Sequence, residues 1–397
     1  MVRLGSGATF QPRQFYVGAA PQEVESVSRM DLMLVAGARP NFVKLAPLYH
    51  ALQMFPAITT TVVHTGQHYD DAMSGSFFRE LEIPEPDVNL EVGPGTHAEQ
   101  TGRIMIRFEP VLQKLNPVWV VVFGDVNSTV ACALVAAKLG TAVAHVEAGL
   151  RSNDWSMPEE INRLVTDRLS TRLYAPSRDA CDNLIREGIP ADRVQLVGNI
   201  MVDTLLARLP KIDQERTLSE FAVERHRFVL VTLHRPSNVD DPNRLLRICS
   251  VLGQTSEQQP VLFPAHPRTQ ARLQERSLKD ALGRTRVISP LPYHAFLSLM
   301  AGARAVVTDS GGIQEETTAL GVPCLTLRPN TERPITITEG TNQLVEPEPV
   351  AFLQALEGSN GHRHRIPELW DGKTAGRIAA DLNGLLAGVG GRGRGDR

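Results

Sequence analysis

AVVTDSGGIQEETTALGVPCLTL, residues 305–327, contains the clearest succession of strand, turn and helix signals in this chain. The apolar run at 305–308 predicts a buried strand, DSGG at 309–312 predicts a tight turn, and residues 313–320 have helical spacing. A glycine and a proline then end the helix, and residues 324–327 predict another strand. The stretch therefore predicts one strand–turn–helix–strand unit of an α/β protein.

The glycine-bearing turn of this unit is suited to binding a phosphate. A strand that leads through Ser310, Gly311 and Gly312 into a helix leaves backbone N–H groups exposed at the positive end of the helix dipole. Glu316 lies four residues beyond Gly312, about 6 Å along the helix axis, which is far enough to reach the hydroxyls of a sugar attached to the phosphate. We therefore expect a nucleotide here; an ordinary strand–helix turn is the alternative.

The composition is that of an ordinary globular protein. With 397 residues, 42% of them hydrophobic and 21% charged, the chain is long enough for about two domains. A net charge of −3 predicts no nucleic-acid partner, and the absence of an apolar run of ~18 residues predicts a cytoplasmic protein without membrane association. Cys132, Cys181, Cys249 and Cys324 have no paired spacing and predict reduced core thiols, with no disulfide or metal site.

The strand and helix signals divide the chain into two similar halves. Residues 30–199 and residues 200–366 each alternate apolar strands with helices, which predicts two doubly wound parallel sheets. Residues 1–29 lack the apolar core of a signal peptide and predict a disordered N-terminal extension or an upstream start codon. Residues 388–397 are polar and glycine-rich and predict a disordered tail.

Two carboxylates follow predicted strands of the first half. Asp125 comes after the apolar run WVVVF, and Glu147 comes after AVAHV. Ligands of parallel α/β sheets bind beyond the carboxyl ends of the strands, so we expect both carboxylates at a binding cleft. The alternative for Asp125 is a helix N-cap, although Asn127 and Ser128 lie nearer the helix. The alternative for Glu147 is an ion pair with Arg151.

Basic residues occur at two other strand ends. Arg39 and Lys44 flank the start of the first helix and predict a second anion-binding corner; two solvated cations beside an ordinary turn are the alternative. The first strand of the second half ends in His234, whose ring is suited to donating a proton or accompanying a leaving phosphate; a structural histidine is the alternative. If the two halves face each other across one cleft, His234 lies opposite Asp125 and Glu147.

A third carboxylate, Glu159, has a strong local alternative to a catalytic role. Ser156 and Glu159 have the spacing of a capping box, in which each side chain bonds the backbone N–H of the other residue at a helix start. Glu159 or Glu160 is also well placed to pair with Arg163 one turn later. Local sequence alone therefore favours a structural role for Glu159.

Several motifs together resemble the non-hydrolysing UDP-N-acetylglucosamine 2-epimerases. They are GARPNFVK (37–44), FGDVNST (123–129), HVEAGLRS (145–152), MPEEINR (157–163), TLHRPSNVD (232–240) and SGGIQEETTALGVPCLTLRPNTERP (310–334). The resemblance implies a GT-B fold, in which two Rossmann-like doubly wound domains face an interdomain cleft. It also implies a homodimer without metal or other cofactor, and a C-terminal helix at 367–387 that packs back on the N-terminal domain.

The chemistry implied by this family interconverts UDP-GlcNAc and UDP-ManNAc, in the service of polysaccharide biosynthesis. UDP is eliminated to give 2-acetamidoglucal and is then added back with inverted C2. The resemblance assigns acid–base roles to Asp125, Glu147 and Glu159, in no fixed order, and support of the leaving diphosphate to His234. It assigns UDP-sugar binding to a further set of residues: Arg39, Lys44, Arg151, Arg235, Ser310, Gly311, Gly312 and Glu316.

The chain also departs from the family pattern. Pro236-Ser237 stands where many members have a glutamate beside the histidine, and His68-Tyr69-Asp70 differs near a pocket for an activating second UDP-GlcNAc. Gln67 and His266 match positions of that possible effector site. The alternative functions are an epimerase of a 3- or 6-substituted UDP-sugar, a GT-B glycosyltransferase, a hydrolysing epimerase and a non-catalytic nucleotide-sugar sensor.

Overall fold

A computed structural model gives the structure of the protein over residues 30–67, 78, 80–359 and 364–390. The expected N-terminal extension at 1–29 and residues 391–397 of the expected tail lie outside these ranges. Within the described part of the chain, no helix combines the length and the apolar character that crossing a lipid bilayer requires.

The first half of the chain forms a seven-stranded parallel sheet with the order β3-β2-β1-β4-β5-β6-β7. The strands are β1 (Met30–Ala36), β2 (Ile58–His64), β3 (Val88–Asn89), β4 (Trp119–Phe123), β5 (Ala142–Val146), β6 (Arg172–Ala175) and β7 (Val194–Leu196). The helices between them are α1 (Arg39–Leu52), α2 (His97–Leu115), α3 (Asn127–Lys138), α4 (Pro158–Leu169) and α5 (Arg178–Arg186).

The second half forms a six-stranded parallel sheet with the order β10-β9-β8-β11-β12-β13. Its strands are β8 (Val229–Thr232), β9 (Val261–Pro264), β10 (Arg286–Ile288), β11 (Ala305–Thr308), β12 (Cys324–Thr326) and β13 (Asn342–Leu344). The helices of this half are α6 (Ile200–Arg208), α7 (Gln214–Glu220), α8 (Pro236–Val239), α9 (Pro242–Ser256), α10 (Pro267–Leu273), α11 (Arg276–Ala281), α12 (Tyr293–Gly302), α13 (Gly311–Leu320), α14 (Ile335–Thr338), α15 (Pro349–Gly358) and α16 (Thr374–Gly390).

Strand β4 shows why the sequences of the sheet strands are unbroken apolar runs. All five of its residues are buried. Trp119, Val121 and Phe123 pack into the core that includes α1, whereas Val120 and Val122 point to the opposite face and pack against α2 and α3. Because helices cover both faces, polar residues cannot alternate with apolar ones. The helices thus leave the strand ends as the place for a site.

The predicted fold class is confirmed. Counted within each half, both sheets have the strand order 3-2-1-4-5-6, which is the Rossmann arrangement, and the first sheet carries one additional strand. Residues that follow β4, β5, β8 and β11 line one common cavity. The carboxyl ends of both sheets therefore face a single interdomain cleft.

Two predicted boundaries are wrong. The helix expected at 313–320 begins at Gly311, because neither Gly311 nor Gly312 has a positive φ and both continue the helix to its cap at Ser310. Residues 388–390, expected within the disordered tail, continue α16. The buried side chains of Leu382 and Leu386 anchor that helix, and adding residues to a formed helix costs much less than starting one.

The C-terminal segment is held by polar contacts with α6 and with the first domain, as well as by apolar packing. Asp203 accepts hydrogen bonds from the first backbone N–H groups of α16, at 3.1 Å from Thr374 and 2.7 Å from Ala375. Further along this helix, Asp381 pairs with Arg172 at 2.7 Å and accepts a hydrogen bond from the hydroxyl of Tyr174 at 2.8 Å. These contacts hold the end of the chain against the first sheet.

Replacing Asp381 with alanine leaves the hydroxyl of buried Tyr174 and the guanidinium of Arg172 without their carboxylate. We expect the free energy of unfolding to fall by about 2 kcal/mol. Urea denaturation followed by circular dichroism measures this loss. The matched control is Glu368→Ala, which removes the exposed pair with Arg178 from the same segment and is expected to cost much less, because solvent screens an exposed ion pair. Equal losses in the two variants would contradict the assignment.

Candidate active site

The interdomain cleft contains a cavity of about 470 Å³. Its walls bring together residues that are far apart in the sequence, from the ends of strands in both sheets. The predicted site residues that line it are Lys44, Asp125, Glu147, Glu159, His234, Arg235, Ser310, Gly311, Gly312 and Glu316.

The N-terminus of α13 forms one wall of the cavity. Ser310 caps this helix, and its backbone N–H donates to the Thr308 hydroxyl at 3.0 Å. Gly311 approaches the guanidinium of Arg333 so closely that a Cβ atom at this position would lie 2.3 Å from Nη1. Gly312 is less confined, because its nearest neighbour for a Cβ atom is Met201 Cε at 3.8 Å. The wall therefore presents the positive end of a helix dipole, to which the two glycines add no side chain of their own.

Glu147 occupies the opposite wall in a strained backbone conformation. Its φ is 76°, in the left-handed region that a residue with a Cβ atom adopts at a cost of about 1–2 kcal/mol. The carboxylate pairs with Lys44 and, at 3.0 Å, with Arg333 of the second domain. The alternative partner, Arg151, makes no contact with it. Glu147 is thus fixed toward the cavity by cations from both domains.

Asp125 is held by Arg163. Its Oδ2 accepts from Nε at 3.0 Å and from Nη2 at 2.7 Å. Burial raises the pKa of Asp125, but the positive charges of Arg163, Lys44 and Arg333 outweigh burial, and the pKa lies below its ordinary value. The N-cap of α3 is Val126, so Asp125 is available to the cavity as an ionised carboxylate.

Glu159 differs from Asp125 and Glu147 because it has no ion pair among the described residues. Its neighbour Glu160 pairs with Arg163 instead. The predicted capping box is absent: Met157 is the N-cap of α4, and Ser156 donates to Asp154 at 2.6 Å. Pro158 at the first helical position removes one N–H that a cap would bind. Half-buried Glu159 therefore faces the cavity without a local partner.

His234 faces the cavity from the end of β8. Its Nδ1 lies 3.0 Å from Asp309 Oδ1, and its side chain is 59% exposed. The neighbouring Arg235 donates from Nε to the backbone carbonyl of Asp309 at 3.0 Å. The exposed imidazole and the adjacent guanidinium place positive or hydrogen-bonding groups beside the N-terminus of α13.

The remaining end of the cavity combines one carboxylate with aromatic and apolar side chains. Burial and the negative charge of Glu315 raise the pKa of Glu316 to about 7, although the hydroxyl of Tyr293 donates to Glu316 at 2.9 Å. Leu291 and Phe296 line the same end. This surface suits a flat ring with hydroxyl groups beside it.

Arg151 lies outside the cavity, contrary to its predicted contact with the substrate. It pairs with Asp167 at 2.8 Å and with Glu187 at 2.7 Å. Asp167 also lies 2.6 Å from Nδ1 of His145, whose Nε2 lies 2.8 Å from the backbone carbonyl of Gly124. Sequence proximity to Glu147 suggested a shared site, but the buried Asp167 carboxylate attracts Arg151 to the far side of this loop.

Gln67 and His266 make structural contacts of their own, and Arg39 is described only by its backbone. Gln67 is buried, and its side-chain oxygen accepts from the backbone N–H of Ser128 at 3.0 Å at the start of α3. His266 is exposed and caps α10 by accepting from the backbone N–H of Arg268 at 3.3 Å. Arg39 begins α1, and its side chain is outside the described structure. The effector and binding roles of these residues stay predictions.

Several residues of the cavity were missed from the sequence. Arg333 pairs with Glu147, with Glu315 at 2.9 Å, and with Glu332. Burial and the charge of Glu147 raise the pKa of Glu315, whereas the pKa of Glu332 is lowered because its basic neighbours, Arg333 foremost, outweigh burial. The only sequence signal was a set of charged residues in the TERP and QEE motifs. No cluster of three or more metal-ligating side chains occurs over the ranges described.

Comparisons with known proteins agree on one family. A family model described as UDP-N-acetylglucosamine 2-epimerase matches residues 50–383. The chain is 43% identical over 362 residues to the UDP-N-acetylglucosamine 2-epimerase of Methanocaldococcus jannaschii, covering 89% of this chain and 99% of that protein. A crystal structure of the Methanocaldococcus jannaschii UDP-GlcNAc 2-epimerase in complex with UDP-GlcNAc and UDP superposes with a TM-score of 0.81 over 89% of this chain and 99% of that one, at 43% identity.

A relative with another sugar substrate is almost as similar. The UDP-2,3-diacetamido-2,3-dideoxy-D-glucuronate 2-epimerase of Pseudomonas aeruginosa is 41% identical over 319 residues, which cover 80% of this chain and 88% of that protein. Overall identity therefore does not distinguish the two sugars.

The two glycines of α13 should respond differently to alanine. In Gly311→Ala the added methyl group displaces the buried Arg333 guanidinium from its carboxylates, and we expect the free energy of unfolding to fall by about 2 kcal/mol. In Gly312→Ala the methyl group has ordinary contact distances, so we expect no loss or a gain of up to about 1 kcal/mol. Chemical denaturation of both variants makes the comparison. A larger loss in Gly312→Ala would contradict the packing described for Gly311.

The backbone strain at Glu147 is testable with two variants that both remove the carboxylate. Glycine tolerates a φ of 76° and alanine does not, so we expect Glu147→Gly to be more stable than Glu147→Ala by about 1 kcal/mol in urea denaturation. Glu160 in α4 is the control, since it also pairs with a buried arginine. There, within a helix, alanine should be more stable than glycine by about 1 kcal/mol. The same order at both positions would contradict the strain.

Proposed function

Because the chain belongs to the UDP-N-acetylglucosamine 2-epimerase family, and is thus an isomerase, we propose that it interconverts UDP-GlcNAc and UDP-ManNAc in the interdomain cavity. The observation that supports this most directly is the placement of charged groups. Asp125, Glu147 and Glu159 of the first domain face His234 and the N-terminus of α13 across one cavity. The carboxylates are suited to proton transfer at the sugar carbon. His234 and the helix N-terminus are suited to binding the leaving diphosphate.

The proposed reaction proceeds by elimination and re-addition. A carboxylate removes the proton from C2, the C2–H electron pair forms the C1=C2 double bond, and the C1–O bond breaks with its pair leaving on UDP. The products of this step are 2-acetamidoglucal and UDP. Re-addition of UDP at C1 and protonation of C2 on the opposite face then give the epimer. Inversion at C2 therefore needs two acid–base groups on opposite faces of the sugar.

The carboxylates of the first domain differ in a way that suits these two tasks. The cation paired with Asp125 helps to keep it ionised, and the two cations paired with Glu147 fix it in place. Glu159 has no such partner in the described structure. The positions of Asp125 and Glu147 are therefore fixed by their ion pairs, whereas no ion pair restrains Glu159.

The second domain is proposed to bind the UDP part. The backbone N–H groups of Gly311 and Gly312 meet the diphosphate at the positive end of the helix dipole, and Ser310 meets it through its hydroxyl, because its own N–H donates to Thr308. Glu316 accepts hydrogen bonds from the ribose hydroxyls, and the ring of Phe296 packs against the base. Arg235 and His234 lie beside the same helix end and stabilise the charge that accumulates on the departing UDP.

The family resemblance supports three further proposals. The chain acts as a homodimer, is located in the cytoplasm, and supplies an activated sugar to polysaccharide biosynthesis. Gln67 and His266 retain their proposed link to an effector site, although each has a structural contact of its own.

A second candidate substrate is a 3- or 6-substituted UDP-sugar. It is favoured by the 41% identity to the Pseudomonas aeruginosa epimerase of a 2,3-diacetamido glucuronate. Elimination across C1 and C2 is the same for both sugars, since the substituents at C3 and C6 do not react. The two proposals therefore share all of the residues assigned above and differ only in which UDP-sugar is turned over.

Proton NMR of the purified protein with UDP-GlcNAc in D2O tests the proposal. We expect UDP-ManNAc with deuterium at C2, because the proton lost to the carboxylate exchanges with solvent before C2 is protonated again. Free N-acetylmannosamine with UDP would instead assign a hydrolysing reaction. An unchanged spectrum would contradict UDP-GlcNAc as the substrate, and oxidised UDP-sugars would be measured next.

A matched pair of variants shows whether turnover takes place in this cavity. Glu159→Gln should lower kcat at least about 100-fold, since it removes a proton-transfer group. Glu187→Gln changes an equivalent carboxylate that pairs with Arg151 outside the cavity, so it should retain the rate of the unmodified protein. Equal rates for both variants would contradict the role of Glu159.

A further inference from the structure

Asp309 is the most heavily contacted carboxylate near His234. It lies at the end of β11, directly before Ser310, and is 0% exposed. Its oxygens accept from the backbone N–H of His234 at 3.1 Å, from the backbone N–H of Arg235 at 3.0 Å, and from the side-chain amide of Asn238 at 3.0 Å. The fourth contact is Nδ1 of His234, at 3.0 Å.

This environment keeps Asp309 ionised and fixes the direction of the hydrogen bond to His234. Burial raises the pKa of Asp309, but the contact with His234 and the hydrogen bonds from Asn238 and Arg235 outweigh it, so the pKa lies below its ordinary value. An ionised carboxylate can only accept hydrogen bonds. Nδ1 of His234 lies 3.0 Å from Asp309 Oδ1, so a hydrogen bond between these two atoms is one that Nδ1 donates. Nε2 has no hydrogen-bond partner in the described part of the chain, and the ring lines the cavity.

We propose, on the basis of the proposed function, that Asp309 is a positioning residue that holds His234 through Nδ1 and presents Nε2 to the diphosphate. A proton on Nε2 then bonds a diphosphate oxygen as the C1–O bond breaks, and it stays on that nitrogen while UDP waits to add back. The negative charge of Asp309 compensates the positive charge of the doubly protonated ring. Asp309 acts through His234 and does not touch the substrate.

The position of Asp309 in the chain adds a second constraint. Ser310, Gly311 and Gly312 follow it immediately, so the carboxylate that orients His234 also begins the turn that receives the diphosphate. Arg235 closes this arrangement by donating to the backbone carbonyl of Asp309 at 3.0 Å. His234 and the diphosphate turn are therefore held in a fixed position relative to each other, although they follow different strands.

Nitrogen NMR of the unliganded protein, labelled at the histidine ring nitrogens, tests the tautomer without relying on turnover. Above the titration of the ring, we expect His234 to carry its proton on Nδ1. The Asp309→Asn variant keeps the shape of the side chain but can donate to Nδ1, so the proton should move to Nε2. A proton on Nε2 in the unmodified protein, or an unchanged tautomer in folded Asp309→Asn, would overturn the proposal.

Kinetics show whether the contact matters for the reaction. Asp309→Asn should lower kcat at least about 100-fold while changing KM less than about threefold, because the diphosphate turn is retained. In a His234→Ala background the same substitution should have almost no further effect on kcat, whereas a merely structural residue would add its own loss. The control is Thr308→Val, which removes the bond to the Ser310 N–H but leaves the pair with His234, and should preserve the tautomer.

The outcomes separate this inference from the proposed function. If the unmodified protein does not turn over UDP-GlcNAc, the proposed function is contradicted and the tautomer measurement alone decides the role of Asp309. If the unmodified protein is active and Asp309→Asn has the same kcat, this inference is overturned and the proposed function stands.

Discussion

The guanidinium of Arg333 joins the two domains of this protein. It is buried, and it contacts Glu147 of the first domain together with Glu315 and Glu332 of the second. A buried cation is tolerated only when carboxylates and hydrogen bonds replace the water it loses. Because one of those carboxylates comes from the other domain, this pairing depends on the domains lying face to face. The pairing therefore fixes one wall of the cleft relative to the other.

The charges of the cleft suit an elimination reaction. Each domain contributes three carboxylates to the lining, and on the first-domain wall Lys44, Arg163 and Arg333 pair with Asp125 and Glu147. The second-domain wall also carries a helix N-terminus with His234 and Arg235 beside it. A proton would be removed by a carboxylate of the first-domain wall, and negative charge would leave toward the donors and the helix dipole of the second. Such fixed charges need no reorganisation during the reaction, which is the main advantage of an enzyme site over water.

Both walls are held in place by contacts that lie behind them. On one side, buried His145 links the carbonyl of Gly124, next to Asp125, to the carboxylate of Asp167 on α4. On the other side, Asp309 links the loop after β8 to the start of α13. In each case a buried carboxylate joins two chain segments that end at the cavity. The strained backbone of Glu147 persists within this support, since a rigid surround is what maintains an unfavourable φ.

The sequence by itself determined the α/β class, the two sheets and the position of the glycine-bearing turn after β11. These features depend on local signals: apolar runs buried on both faces, glycines at a helix start, and prolines that end helices. Motif resemblance added the roles of Asp125, Glu147, Glu159 and His234, which line one cavity in the structure.

Only the tertiary structure decided which charged residues form ion pairs with each other. Arg151 lies four residues after Glu147, yet it pairs with Asp167 and Glu187, while Glu147 pairs with Arg333 across 186 positions of the chain. The contact of Asp309 with His234 likewise joins residues 75 positions apart. The energy of an ion pair depends on the distance between its charges and on how deeply they are buried. Both quantities are set by the packing of the two domains, so spacing along the chain could not predict them.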